Sequence, residues 1–270
     1  MSGSSSLYKS DSKPQDYMCT LAANISESGD VATWKESYGI DAPLGAIASL
    51  FCIPMYMYAT LKGKFKVWDD LLDQNPCPSE SPSLDVGCGR GMILLKLALK
   101  KRSIMERHNR EEAGPTPLTA ITPNAKAYGI DIFSSIDQTG NSPNATFKNA
   151  LALGLTPYVV LHRASFAELP FADDVFGLVT ASLVIHNAST KSQRKAGVLE
   201  CARVVRPGGK LILVDMKGFP SSYEAWLREI GWTDLKRRWC GPRLIYGVIW
   251  CEALVATKPI GRCGNGLLIC

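Results

Sequence analysis

Three glycines fall within five positions, Gly87, Gly89 and Gly91, between the apolar run Ser83–Val86 and a helix-like stretch over 92–101. Glycine loses more freedom on folding than other residues. A cluster of this kind is therefore kept where the backbone needs positive φ or where something approaches it closely. The junction predicts a strand, a tight turn and a helix, with a ligand or neighbour against the turn. No Lys-Ser or Lys-Thr pair follows the glycines, so the loop lacks the parts of a G-x-x-x-x-G-K-[ST] phosphate cradle. Met92 stands where a G-x-G-x-x-G dinucleotide loop has its last Gly or Ala. What remains is G-x-G-x-G with a carboxylate, Asp85, at the strand end. Such a loop suits a ligand that carries positive charge and no phosphate.

The chain has 270 residues, enough for one large domain and an extension. Beyond Ser83, short apolar runs at 83–86, 127–130, 159–162, 175–185 and 211–214 alternate with helix-like segments at 92–101, 144–153, 190–205 and 223–230. Ser142-Pro143 supplies a cap and a first-turn proline, and Gly154 a stop. This alternation predicts an α/β fold with a doubly wound, mostly parallel, Rossmann-like sheet. Asp234–Trp239 and Val248–Thr257 have no helix between them and predict a C-terminal antiparallel hairpin.

Residues 1–30 form a polar, Ser-rich arm expected to be disordered. Residues 31–80 form a hydrophobic N-terminal helical extension, 81–260 the main domain and 261–270 a tail. Within the extension, Ala42 to Leu61 gives 20 residues without a charge, followed by Lys62, Lys64 and Lys66. Two expectations stand side by side. The run is either a membrane span or interfacial anchor that keeps the domain cytoplasmic, or a helix that caps the site.

Nine cysteines without a C-x-x-C pair speak against a disulfide framework and a zinc site, and three scattered histidines against any metal centre. The net charge of +5 comes without a basic stripe interleaved with aromatics, which excludes a nucleic-acid surface from the expectations.

Three further segments share the pattern of the glycine loop. "AYGIDIF" ends the second strand with Asp131, where a carboxylate can take both hydroxyls of a ribose. "ELPFADDVFGLVTASLVIHN" runs from a turn through a strand to His186 and Asn187, at the ligand edge of a parallel sheet. "ECARVVRPGGKLILVD" is a helix end, a Pro-Gly-Gly turn and a strand. In this order the segments, from about Ser83 to Pro259, resemble the class I S-adenosylmethionine (SAM)-dependent methyltransferases, type 11-like. More narrowly, "YGIDAP", "FKVWDDLL" and "DQTGNSPNAT" resemble a microbial branch with a hydrophobic N-terminal segment.

The resemblance implies SAM as cofactor and methyl transfer to a small-molecule acceptor, lipophilic and of secondary metabolism. It implies that Asp85, Gly87, Gly89 and Gly91 line the methionine moiety, that Asp131 binds the ribose hydroxyls and that Ile132 lies on the adenine. Ser165, followed by Phe166, occupies the place where relatives carry an acid for the adenine amino group. Gly177 replaces a usual Asp. Gly91 and Asp131 lie 40 positions apart, about twice the family spacing, with the excess in 100–126. His186 is the candidate general base and Asn187 its orienting partner; the competing expectation is that His186 is only packed. A catalytically inert, membrane-tethered scaffold and a nucleotide-dependent oxidoreductase are the alternatives.

Overall fold

The computed structural model describes residues 7–9, 14–25, 35–38, 53–111, 121–134 and 138–261. Helix α1 (Tyr17–Ile25) comes first. Helix α2 (Ile53–Tyr58) passes through a π-helical turn, Ala59–Gly63, into α3 (Lys64–Gln74). The alternating part follows with β1 (Ser83–Val86), α4 (Met92–Glu111), β2 (Ala127–Asp131), α5 (Pro143–Ala152) and β3 (Val159–Arg163). It continues with β4 (Phe176–Ser182), α6 (Lys191–Val204), β5 (Val205–Met216) and α7 (Phe219–Glu229). Three strands close the chain: β6 (Asp234–Trp239), β7 (Ile245–Tyr246) and β8 (Ile249–Thr257).

The sheet order is β3-β2-β1-β4-β5-β8-β6. Strands β1 to β5 pair in parallel, and β8 runs antiparallel between β5 and β6. The predicted doubly wound sheet and terminal hairpin are thus both present. Period-2 alternation splits each central strand between two cores. Leu178, Ile212 and Val214 pack with α3, α4 and α5 on one face. Val179, Leu211 and Leu213 pack with α6 and α7 on the other. The chain leaves β1 toward β2 and β3, then returns to β4 on the other side of β1. This reversal opens a crevice at the carboxyl ends of β1 and β4, where ligands of open α/β sheets bind.

Local signals set the helix ends. Ser142 Oγ accepts from Ala145 N at 3.2 Å, with Pro143 in the first turn of α5. Thr190 and Gln193 close a reciprocal capping box on α6. Helix α4 runs ten residues past its expected end, to Glu111. Ile104 and Met105 still reach the core there, and Arg102 pairs with Glu106 at 3.5 Å, one turn on. The Pro-Gly-Gly turn is a bulge inside β5, where pairing jumps from Phe176↔Val205 to Leu178↔Lys210.

Of the N-terminal arm, residues 7–9 and 14–25 are described, and they pack on the sheet. Tyr8 bridges Phe171, and Asp16 Oδ1 accepts from Leu161 N at 3.2 Å, which docks α1 onto β3. His162 is spent here as well, with Nδ1 2.8 Å from Gln15 O and Nε2 3.0 Å from Tyr8 Oη. Of the uncharged run 42–61, residues 42–52 lie outside the described residues. Within the rest, Tyr56 and Ala59 are buried against Ile245. Among the described residues no helix is long and apolar enough to cross a membrane.

Candidate active site

The turn after β1 is locked by its neighbours. Gly87 N and Cys88 N both donate to Ile130 O, at 2.8 and 3.0 Å, which fastens the turn to β2. Gly87 has φ +70° and Gly89 φ +51°, where a side chain is strained. A Cβ on Gly87 would lie 2.3 Å from Val184 Cγ2, and one on Gly89 2.5 Å from Gln138 Oε1. Gly91 does not line the cleft; it is the contact point with α5, where a Cβ would stand 2.9 Å from Thr146 Cγ2. Helix α5 also holds the loop's carbonyls. Thr146 Oγ1 donates to Gly89 O at 2.7 Å and Asn149 Nδ2 to Arg90 O at 2.8 Å.

Two carboxylates organise this edge. Asp85 is buried. Its Oδ2 accepts from Leu94 N at 3.0 Å and its Oδ1 from Thr180 Oγ1 at 2.8 Å. Burial pushes its carboxyl up to about 7, opposed by those two hydrogen bonds. Asp131 Oδ2 accepts from Gly89 N at 2.8 Å, while Oδ1 takes Phe133 N at 2.5 Å and Asn141 Nδ2 at 3.3 Å. The acid at the end of β2 and the glycine loop are therefore one hydrogen-bonded unit.

A cleft opens over this unit. Asp85, Gly87, Gly89, Asp131, Ile132 and Phe166 contribute to its wall. Ile132, an apolar side chain at the cleft, is 54% exposed among the described residues. Phe166 is braced by Gly197 of α6, where a Cβ would lie 2.6 Å from its ring. Ser165 lies outside the lining, and its Oγ accepts from Ala167 N at 3.2 Å. The wall also includes Tyr38 and Lys64 from the extension expected to cap or anchor the domain, Gln138 from the segment after β2, and Leu244 and Tyr246. Tyr38 is brought in by Asn149, which bonds both Ser37 N (2.7 Å) and Ser37 O (2.8 Å). Burial raises the Tyr38 phenol to about 12.

His186 and Asn187 form a 3₁₀ turn after β4. Asn187 lines the cleft; His186 is not part of its wall and its side chain is buried. His186 Nδ1 is 2.6 Å from Asp215 Oδ1, and its ring packs 5.1 Å from Tyr246 and 5.9 Å from Phe219. Asp215, at the end of β5, also accepts from Tyr223 Oη at 2.8 Å. Neither Asp215 nor Tyr223 was singled out from sequence, although an acid closing an apolar strand is the signal that marks Asp85 and Asp131. Among the described residues no cluster of metal-ligating side chains occurs.

These residues fit SAM. The loop carries no side chain at Gly89, and Asp85 and Asp131 line the cleft beside it, together with Gln138 and the cations Lys64 and Arg90. Arg90 Nη1 donates to Thr139 O at 3.1 Å.

Comparison with known proteins agrees. The profile of a family described as a methyltransferase domain matches residues 114–213. Demethylmenaquinone methyltransferase of Mycolicibacterium vanbaalenii is 38% identical over 161 residues, 56% of this chain and 68% of that one. A candidate methyltransferase of Encephalitozoon cuniculi is 43% identical over 53 residues, 20% of this chain and 25% of that one. The chain thus spans between a quarter and about two thirds of these relatives. The [4+2]-cyclase SpnF shares the fold, with a TM-score of 0.53 at 17% identity over 91% of this chain and 94% of its own. A shared fold alone does not name the reaction, but the sequence relative and the loop–acid unit do name the family: the chain belongs to the class I SAM-dependent methyltransferases.

Proposed function

We propose that the protein methylates a small lipophilic molecule with SAM, which brings a methyl group already activated on a sulfonium. The observation that carries this is the bond from Gly89 N to Asp131 Oδ2, which sets a bare loop and a ribose-type acid side by side at the switch point of the sheet. In this reading Asp85 and the Gly87–Gly89 turn hold the methionine end, Asp131 the ribose, and Ile132 and Phe166 the adenine. The remaining wall, with Tyr38, Leu244, Tyr246 and Asn187, receives the acceptor. Tyr38, Leu244 and Tyr246 support an apolar acceptor, with Lys64, Gln138 and Asn187 as the wall's polar members, and so does the relative named for demethylmenaquinone. The protein's work is then alignment of the reacting atoms and exclusion of water.

Calorimetric titration of the full chain with SAM and with its demethylated product tests this. Saturable binding of both is the expected result. Binding of a nicotinamide dinucleotide instead would favour an oxidoreductase. Binding of none of these ligands would favour a scaffold. Radiolabelled SAM incubated with organic-phase extracts then reports the acceptor.

A further inference from the structure

Large apolar side chains that stay exposed are not spread evenly over this molecule. Of the ten among the described residues, seven come from two regions that touch. Trp239, Val248, Ile249 and Trp250 belong to the terminal strands. Trp239 is 59% and Val248 58% exposed, and the two indoles meet edge to face at 5.7 Å. Met57, Tyr58 and Leu61 belong to α2 and the π-helical turn. The inner side of that helix fastens the two regions together. Tyr56 and Ala59 pack on Ile245, and Gly63 lies so close to the Arg243 carbonyl that a Cβ there would collide with it.

Sheet register puts this patch at the mouth of the cleft. Met216, the last residue of β5, pairs with Cys251, and Lys217 N donates to Trp250 O at 2.8 Å, so β8 begins where β5 ends. Strand β6 is antiparallel to β8 and therefore runs with β5. Trp239, its last residue, thus reaches the same carboxyl edge. Tyr246 of the cleft's wall pairs with Ile249 in this hairpin, and Leu244 of the wall precedes it.

Charge distinguishes the partner. Lys62, Lys66 and Lys217 are exposed around the patch, and none has an ion pair among the described residues. The acids of α3 are taken up elsewhere, Asp69 by Lys96, Asp70 by Arg243 and Asp73 by Lys100. Against these lysines stands Glu252, opposite Trp239 in the register. The outermost strand, β6, carries Lys236, Arg237 and Arg238 in a row, which discourages pairing with the same strand of a second copy. An exposed apolar patch of this kind marks a protein or membrane contact. Indoles favour the headgroup level of a bilayer, and lysines beside them are drawn to anionic lipid.

We propose that this end of the protein docks on the surface of an anionic lipid bilayer, with the indoles and the outer face of α2 at headgroup level and the mouth of the cleft toward the lipid. Through this patch the chain lies on the membrane without having to cross it. An apolar acceptor held in the bilayer would then reach Leu244 and Tyr246 without passing through water. The docking itself depends neither on the acceptor nor on SAM.

Sedimentation of full-length protein with vesicles tests this, using phosphatidylcholine alone and phosphatidylcholine with about one-third phosphatidylserine. Binding to the anionic vesicles, weakened severalfold between about 0.1 and about 0.5 M salt, is the expected result. Trp239→Ser combined with Val248→Ser, and separately Lys62→Gln combined with Lys217→Gln, should each lower that binding about tenfold or more. All four residues are exposed, and urea unfolding and SAM affinity should stay at wild-type values in both variants. No binding to anionic vesicles, equal binding to both vesicle types, or wild-type binding in either double variant would overturn the proposal. A dimer in sedimentation equilibrium that Trp239→Ser with Val248→Ser dissolves, with no vesicle binding, would assign the patch to a second copy instead. Failure of SAM to bind the wild type would remove the methyltransferase reading and leave the vesicle result standing.

Discussion

The amide of Gly89 donates to Oδ2 of Asp131 across 2.8 Å, although 42 positions separate the two residues. Loop and acid thereby report on each other's position, and changes at either should reach the cofactor.

Gly89→Val places a branched side chain at φ +51°, against Gln138 Oε1. SAM binding measured by calorimetry should be lost, with the far-UV spectrum of the fold preserved. Asp131→Ala should weaken SAM by about 1.5–3 kcal/mol, the scale of hydrogen bonds to a charged group. Wild-type affinity in both would put the cofactor elsewhere.

The buried carboxyl of Asp85 links stability to pH. Its folded value of about 7 lies above the ordinary 3.8, so between about pH 4 and 7 the folded chain holds a proton that the unfolded chain has released. Its contribution must fall as pH rises through that window and level off above it. Asp85→Asn should remove this slope. Relative to wild type, the variant should gain stability from pH 4 to pH 8, on the order of 2–4 kcal/mol. Urea unfolding at several pH values reads the difference directly.

Gly177 stands where the family resemblance implies an acid, and the packing around it leaves no room for a side chain. A Cβ there would meet Ser81 Oγ at 2.1 Å and Pro78 Cγ at 2.4 Å. Restoring the family's Asp by Gly177→Asp should therefore cost about 1–3 kcal/mol or more of stability, as overpacking does. A variant as stable as wild type in thermal and urea unfolding would show that the segment at 78–81 yields freely.

Asn149 clamps two strands of chain onto α5, Ser37 from the N-terminal stretch and Arg90 from the glycine loop. Asn149→Ala should loosen Tyr38 from the cleft and soften the loop, weakening SAM by about 1–2 kcal/mol. Titration against the wild type, with the melting point monitored in parallel, separates this local effect from general unfolding.

Local chemistry made much of this legible in sequence. Strand-forming runs, the Ser142 cap and the glycine turn each act within a few residues, so Asp85, Gly87, Gly89 and Asp131 could be placed on one edge. Gly91 could be located but not its task, because its partner Thr146 lies 55 positions away. Asp16 looks like a solvating acid in a polar arm until its bond to the Leu161 amide is seen. The dependence of His186 on Asp215, 29 positions on, is likewise a product of strands β4 and β5 ending side by side. Patterns name a residue's element; pairings across elements belong to the assembled sheet.

Helix α4 begins at the glycine loop and runs 20 residues, about 30 Å, before Glu111. The far end of the helix is thus carried well away from the crevice. A fluorophore attached at Arg107, exposed on its last turns, should travel with the enzyme without entering its chemistry.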